Sequence, residues 1–319
     1  MDPIAFFTDP LAYDFMRRAL GMSILVGAVC AVLSCYLVLK GWSLMGDAIS
    51  HAVLPGIVIA FVLGIPLAIG AFVAGLVCAL MTGYLKYNSR VKEDTVMGIV
   101  FSGMFGFGLV LFTKVETDQH LNHILFGNVL GVTTADLIET AIIAGGTLLI
   151  VLAKRRDLLL FCFDPNHARA IGLPVNLLHY GLLVLLSLTI VSSIQAVGII
   201  LVIAMLIAPG ATAYILSDRF ERMLVIAVVV SCGSCLLGTI ISFHIDGATG
   251  ACIVLVQAFV FLLAFLFGPK RGLWPLRALL HQPAEIDGSK SANGTASKPG
   301  STLPRGLNGA PQDFVDQRR

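Results

Sequence analysis

From about residue 18 to 267 the sequence is a succession of apolar runs, each near 20 residues long and parted by short polar or charged connectors. A run of that length spans the hydrocarbon of a bilayer as a helix. Runs are placed at 18–39, 44–63, 66–85, 95–113, 133–153, 176–194, 197–216, 223–243 and 248–267, with a short apolar piece around 125–127. The predicted fold class is therefore all-α: a polytopic membrane protein, a bundle of eight or nine transmembrane helices. Of the 319 residues 57% are hydrophobic and 13% charged, a balance that excludes a soluble domain of this length. The first run follows Arg17 and Arg18 and has no small-residue cleavage site behind it, so it reads as a retained span.

The chain divides into a membrane domain at 1–271 and a tail at 272–319. The tail is rich in Ser, Gly, Asn, Pro and Lys, which cannot bury enough apolar surface to fold, so disorder is expected there. Basic residues cluster at Lys86/Arg90/Lys92, at Lys154/Arg155/Arg156/Arg169, at Arg219/Arg222 and at Lys270/Arg271. Alternating helices put all four clusters on one side, which the positive-inside rule makes the cytoplasm. Nine spans would then place the N-terminus outside, against the pull of Arg17 and Arg18; eight spans or a re-entrant helix would remove that conflict. Seven scattered cysteines form no disulfide framework, and Cys232 and Cys235, at CxxC spacing, read as small apolar packing residues. Ala71, Gly75, Ala79 and Gly83 repeat every fourth residue, the pattern of a close helix-packing face. Leu54-Pro55-Gly56 is echoed at Ala208-Pro209-Gly210, as paired interruptions in a transport path or by coincidence.

The second run is anomalous. Its stretch GWSLMGDAISHAVLPG, at 41–56, carries Asp47 and His51 four residues apart and hence on one helix face. Ser43 and Ser50 are expected to extend that polar stripe. Ionisable groups at membrane depth are costly and point by default to function. A carboxylate oxygen with an imidazole nitrogen suits Mn²⁺, Fe²⁺ or Zn²⁺ better than Ca²⁺. Two ligands bind weakly, and a symmetric dimer would double the set. The bland alternative is an Asp–His contact that only fixes helix packing. Pro55 cannot donate to the carbonyl of His51, so Pro55 and Gly56 are the expected helix hinge.

The long connector at 154–175 holds a second pattern. Asp164 suits an N-cap, Pro165 the first turn, and Gly172 the end of a short helix whose Ala168, Ala170 and Ile171 give a small apolar surface. Such a helix can dock in a groove of a soluble partner; the alternative is an ordinary loop. The sequence has no GxxxxGK[ST] loop, GxSxG or HExxH motif. An ion-coupled secondary metal carrier and a membrane scaffold both stay open at this point.

The 41–56 stretch resembles the signature of the metal-ion permease family of ATP-binding-cassette importers, closest to its manganese and iron members. Residues 93–102, 125–130, 164–174, 197–202 and 208–211 are similar to further family segments, in order, so the resemblance covers about 10–270. The resemblance implies a non-enzymatic permease subunit that imports Mn²⁺ or Fe²⁺, or alternatively Zn²⁺, by alternating access, with no permanently bound cofactor. Implied partners are a cytoplasmic ATP-binding subunit, an extracytoplasmic metal-binding protein and a second permease subunit. The implied setting is the bacterial inner membrane. By the same resemblance Asp47 and His51 line the metal path or gate. Asp164, Pro165, Ala168, Ala170 and Gly172 belong to the helix that couples to the ATPase.

Overall fold

The computed structural model describes residues 9–114 and 131–268, and no strand occurs among them. A 3-10 turn at Pro10–Ala12 precedes α1 (Asp14–Lys40), α2 (Met45–Ala52), α3 (Leu54–Leu63), α4 (Leu67–Asn88), α5 (Glu93–Phe112) and α6 (Thr134–Ala153). Two short helices follow, α7 (Arg155–Phe163) and α8 (Pro165–Ala170). The chain then continues through α9 (Val175–Val197), α10 (Ile199–Leu216), α11 (Phe220–Ile245) and α12 (Thr249–Phe267). Nine stretches among the described residues are long and apolar enough to cross a membrane, with α2 and α3 sharing one of them. The apolar piece at 125–127 and the tail at 272–319 lie outside the described residues.

α1 is the axis of the bundle. Most of its length is buried, against α10, α11, α6, α9 and α7. Lipid tails are as apolar as leucine, so membrane helices associate by close packing and local hydrogen bonds. Both operate here. A methyl group on Gly27 would stand 2.8 Å from Ser231 Oγ, and that hydroxyl donates to the Gly27 carbonyl at 2.9 Å. One turn along, Cys235 Sγ donates to the Ser23 carbonyl at 3.3 Å. Cys235 thus sits in the α1–α11 seam, as the packing reading expects, while Cys232 is only half-buried. The small-residue face of α4 meets α2 and α9: a Cβ on Gly75 would lie 3.0 Å from Ile49 Cγ2, and one on Gly83 3.2 Å from His179 Nε2.

The repeated Pro-Gly pair marks two tight helix crossings. A Cβ on Gly56 would fall 2.0 Å from the Gly70 carbonyl oxygen, and one on Gly210 2.7 Å from that of Ser34. Gly210 also donates its N–H to Ser34 Oγ at 3.0 Å, beside the backbone that Pro209 leaves without a donor. The outer faces carry exposed Ile99, Ile142, Leu149, Val225, Leu255 and Phe259, the surface that a lipid-embedded bundle presents.

The basic connectors collect at one end. Lys40 Nζ donates to the Phe161 carbonyl at 3.4 Å, Arg155 Nη2 lies 3.4 Å from Glu221 Oε1, and Gly83 abuts His179. With nine spans, α1 begins at the opposite end. There the Arg17 guanidinium pairs with the Asp14 carboxylate, which offsets the charge that argued against this arrangement. The connector at 154–175 is also not the long loop expected, since α7 occupies nine residues of it; Leu158, Phe161 and Cys162 bury against the bundle.

Candidate metal-path residues and coupling segment

α2 is an eight-residue helix that stops at Ala52, and Val53 separates it from α3. The interruption falls two residues before Pro55, whose ring enters the first turn of α3, where a missing N–H costs nothing. Pro55 and Gly56 are both buried and held from two sides. Gly108 of α5 accepts the Pro55 ring, since a Cβ there would stand 2.8 Å from Pro55 Cδ, and Gly70 of α4 accepts Gly56. The break in the span is therefore present, with its two marker residues clamped between neighbouring helices.

On α2, His51 Nε2 stands 3.3 Å from Asp47 Oδ1, and the two side chains are 30% and 32% exposed. The other faces of α2 are closed: Met45, Gly46, Ala48, Ile49 and Ala52 are buried against α4, α9 and α10. Ser50 corrects the expected stripe. It is 1% exposed and its hydroxyl donates to the Gly46 carbonyl at 2.7 Å, so it serves the helix and faces away from the pair. Ser43 lies in the turn before α2, outside the helix. The polar face is thus reduced to Asp47 and His51. Its wall, which the sequence did not point to, is aromatic: the rings of Phe105 and Phe101 on α5 lie 5.4 and 6.1 Å from the imidazole. An i, i+4 repeat on a neighbouring helix is the signal that could have marked them.

The spacing of the pair has a chemical meaning. Metal–ligand bonds of about 2.1 Å to nitrogen and oxygen put adjacent ligand atoms roughly 3.0–3.4 Å apart in octahedral or tetrahedral geometry. The observed 3.3 Å falls in that interval, and an Asp–His contact uses it equally well. Among the described residues no group of three or more His, Cys, Asp or Glu side chains comes together to hold a metal. At about 1.5 Å rise per residue, His51 lies roughly 9 Å along the span from Met45. The pair is therefore nearer to the end that carries the basic connectors.

That same end bears α8. Asp164 Oδ1 accepts from the N–H groups of Asn166 at 2.9 Å and His167 at 3.0 Å, Pro165 occupies the first turn, and Gly172 takes a left-handed φ of 85°. The His167 N–H, with help from that of Asn166, holds the Asp164 carboxyl below the usual carboxylate range. At the other end Gly172 donates to the Arg169 carbonyl and Leu173 to that of Ala168, each at 3.0 Å, the paired closure that a left-handed glycine allows. Ala168 is fully buried while Ala170 and Ile171 are exposed. The short helix expected from the sequence is present, anchored on one side and open on the other.

Comparisons to known proteins place this fold in a family. Residues 12–268 match the ABC 3 transport family. The chain belongs to that family. It is 69% identical over 260 residues to the chelated iron transport system membrane protein YfeD of Yersinia pestis, covering 82% of this chain and 88% of that protein. It is 55% identical over 265 residues to the manganese transport system membrane protein MntB of Synechocystis sp., covering 83% and 87%. The structure of PsaBC from Streptococcus pneumoniae in complex with Fab superposes with a TM-score of 0.77 at 41% identity, covering 86% of this chain and 99% of that one. The chain is an integral membrane protein and a permease of the ATP-binding-cassette transporter class.

Proposed function

We propose that this permease is the membrane subunit of an importer of Mn²⁺ or Fe²⁺ in the bacterial inner membrane, driven by ATP that a separate cytoplasmic subunit hydrolyses. The observation that carries this reading is the Asp47–His51 pair, set at metal-ligand spacing in an interrupted membrane span and about one-third exposed. Relatives named for iron and for manganese transport support the choice of cargo. The donor set itself admits Zn²⁺, which is the second reading for the cargo. The metal is handled as substrate, with no resident cofactor.

In this reading an incoming cation binds between Asp47 and His51 of one permease and the equivalent groups of a second permease subunit, a copy or a close paralogue. Two ligands per chain are too few to hold a cation, and weak, shared coordination also lets it leave. Gly98, Gly103 and Gly106 of α5 have nothing packed against their Cα positions, so the face beside Phe101 and Phe105 allows a second chain close approach. An extracytoplasmic metal-binding protein delivers the ion. Asp164, Pro165, Ala168, Ala170 and Gly172 form the contact to the ATPase: Asp164, Pro165 and Gly172 shape α8, Ala168 anchors it, and Ala170 meets the partner. Pro55 and Gly56 set the place where α2 and α3 change their relative angle. A docking helix capped at both ends favours this mechanism over an ion-coupled carrier, which needs none, and over a scaffold.

The test is ATP-dependent uptake of Mn²⁺, Fe²⁺ and Zn²⁺, each supplied separately to reconstituted vesicles. Asp47→Ala and His51→Ala should each abolish uptake while the ATPase still co-purifies. Wild-type uptake by both variants would overturn the assignment, and preference among the three ions decides the cargo.

A further inference from the structure

The end of the bundle that bears α8 contains a cluster that neither the metal path nor the docking surface uses. Lys40, the last residue of α1, places Nζ 4.1 Å from the centre of the Phe161 ring and within 3.4 Å of the Phe161 carbonyl oxygen. The same ammonium stands 5.9 Å from the Trp42 ring. His179 of α9 closes the group edge-on, with ring centres 5.1 Å from Trp42 and 6.1 Å from Phe161. Trp42 and Phe161 are each 2% exposed.

The position of this cluster gives it a role. Phe161 lies on α7, which leads into α8 through Asp164 alone. Trp42 lies in the four-residue turn, 41–44, that leads into α2, and its carbonyl accepts the N–H of Met45, the first residue of that helix. From α8 to the metal pair the path is therefore short: α7, the Phe161 ring, Lys40 with Trp42, then α2 bearing Asp47 and His51. A half-buried cation against two buried aromatic rings is a directional contact, and large rigid rings transmit displacement with little give. The buried Trp42 indole N–H has no hydrogen-bond partner in the protein, an unmet donor that a second arrangement of the cluster can satisfy.

We infer that Lys40, Trp42 and Phe161 are positioning residues that transmit movement of the α7–α8 segment to α2, and so couple ATP hydrolysis to the state of the Asp47–His51 pair. The inference rests on the proposed function above. A residue acting this way differs from a merely structural one in what its loss does: it separates hydrolysis from transport.

The experiment measures metal uptake, ATP hydrolysis and ATPase co-purification on the complete reconstituted transporter, with Mn²⁺ as the probe ion. Lys40→Met keeps the aliphatic stem and removes the charge, Phe161→Leu keeps an apolar side chain and removes the ring, and Lys40→Arg restores a cation over the ring. Lys40→Met and Phe161→Leu should retain co-purification and at least half of basal hydrolysis, while Mn²⁺ transported per ATP falls about tenfold or more. Lys40→Arg should recover most of that ratio. An unchanged ratio in both variants, or a parallel fall in uptake, hydrolysis and assembly that Lys40→Arg does not reverse, overturns the inference. Asp47→Ala, run beside them, separates the two claims, because normal uptake by that variant refutes the proposed metal path itself.

Discussion

Single residues in this bundle differ sharply in what they tolerate, and the glycines show why. Gly56 has the Gly70 carbonyl oxygen 2.0 Å from where a Cβ would sit, with the Ala74 methyl at 2.6 Å. No rotamer relieves a clash with backbone, so α3 and α4 must separate. Gly145, on the outer face of α6, has nothing within 4 Å. Gly56→Ala should therefore cost at least roughly 1–3 kcal/mol, the usual range for overpacking, and lower the thermal midpoint of the detergent-solubilised protein. Gly145→Ala should leave that midpoint unchanged or slightly raised, since alanine favours the helix. Equal midpoints for the two variants would refute the crossing. The cysteines make a parallel case. Cys235 lies buried in the α1–α11 seam, so Cys235→Ala should alter stability and leave metal preference in the uptake assay unchanged.

At the scale of one element, α8 is the best-defined unit outside the spans. Its fixed side is Ala168 and its open side is Ala170 with Ile171, so Ala170→Glu should weaken ATPase co-purification without unfolding the bundle. Its N-terminus adds a pH dependence. Hydrogen bonds from the His167 and Asn166 N–H groups lower the folded pKa of Asp164. The cap is then fully effective above the ordinary carboxylate pKa, near 4, and is lost as the pH falls through the lowered folded value. Co-purification should be flat in this respect through the neutral range and weaken only in acid. Asp164→Asn, which caps without titrating, should remove that acid-side loss. This element was legible in the sequence because its chemistry is local: a cap, a proline and a left-handed glycine lie within nine residues. The interruption near Pro55 was legible for the same reason. Ser50 was misplaced because a serine hydroxyl can return to its own helix, a choice that residue spacing does not reveal. α7 was read as loop because Lys154-Arg155-Arg156 ends one helix and also opens the next. The Lys40–Phe161 contact joins residues 121 apart, beyond the reach of any local pattern.

For the whole molecule, sidedness joins the local findings. The contacts from Lys40 to Phe161, from Arg155 to Glu221 and from Gly83 to His179 place the connectors around 41–44, 86–92, 154–175 and 217–222 at one end. An odd number of spans among the described residues requires α1 to enter from the other. If the basic end is cytoplasmic, α8 faces the ATPase, and the Asp47–His51 pair lies in the inner half of the path, one turn and a half from the coupling cluster. An outward gate would then belong to other residues, and the pair would act as an internal station that α2 opens or closes. The arrangement is testable without transport. In a cysteine-free background, single cysteines at Ala12, exposed just before α1, and at Gly172 should react oppositely with a membrane-impermeant maleimide applied to spheroplasts. Ala12→Cys should label at once, and Gly172→Cys, whose positive φ calls for a check of expression level, only after the membrane is opened. Labelling of both positions on the same side would require an even number of spans and would move the Asp47–His51 pair away from the ATPase end.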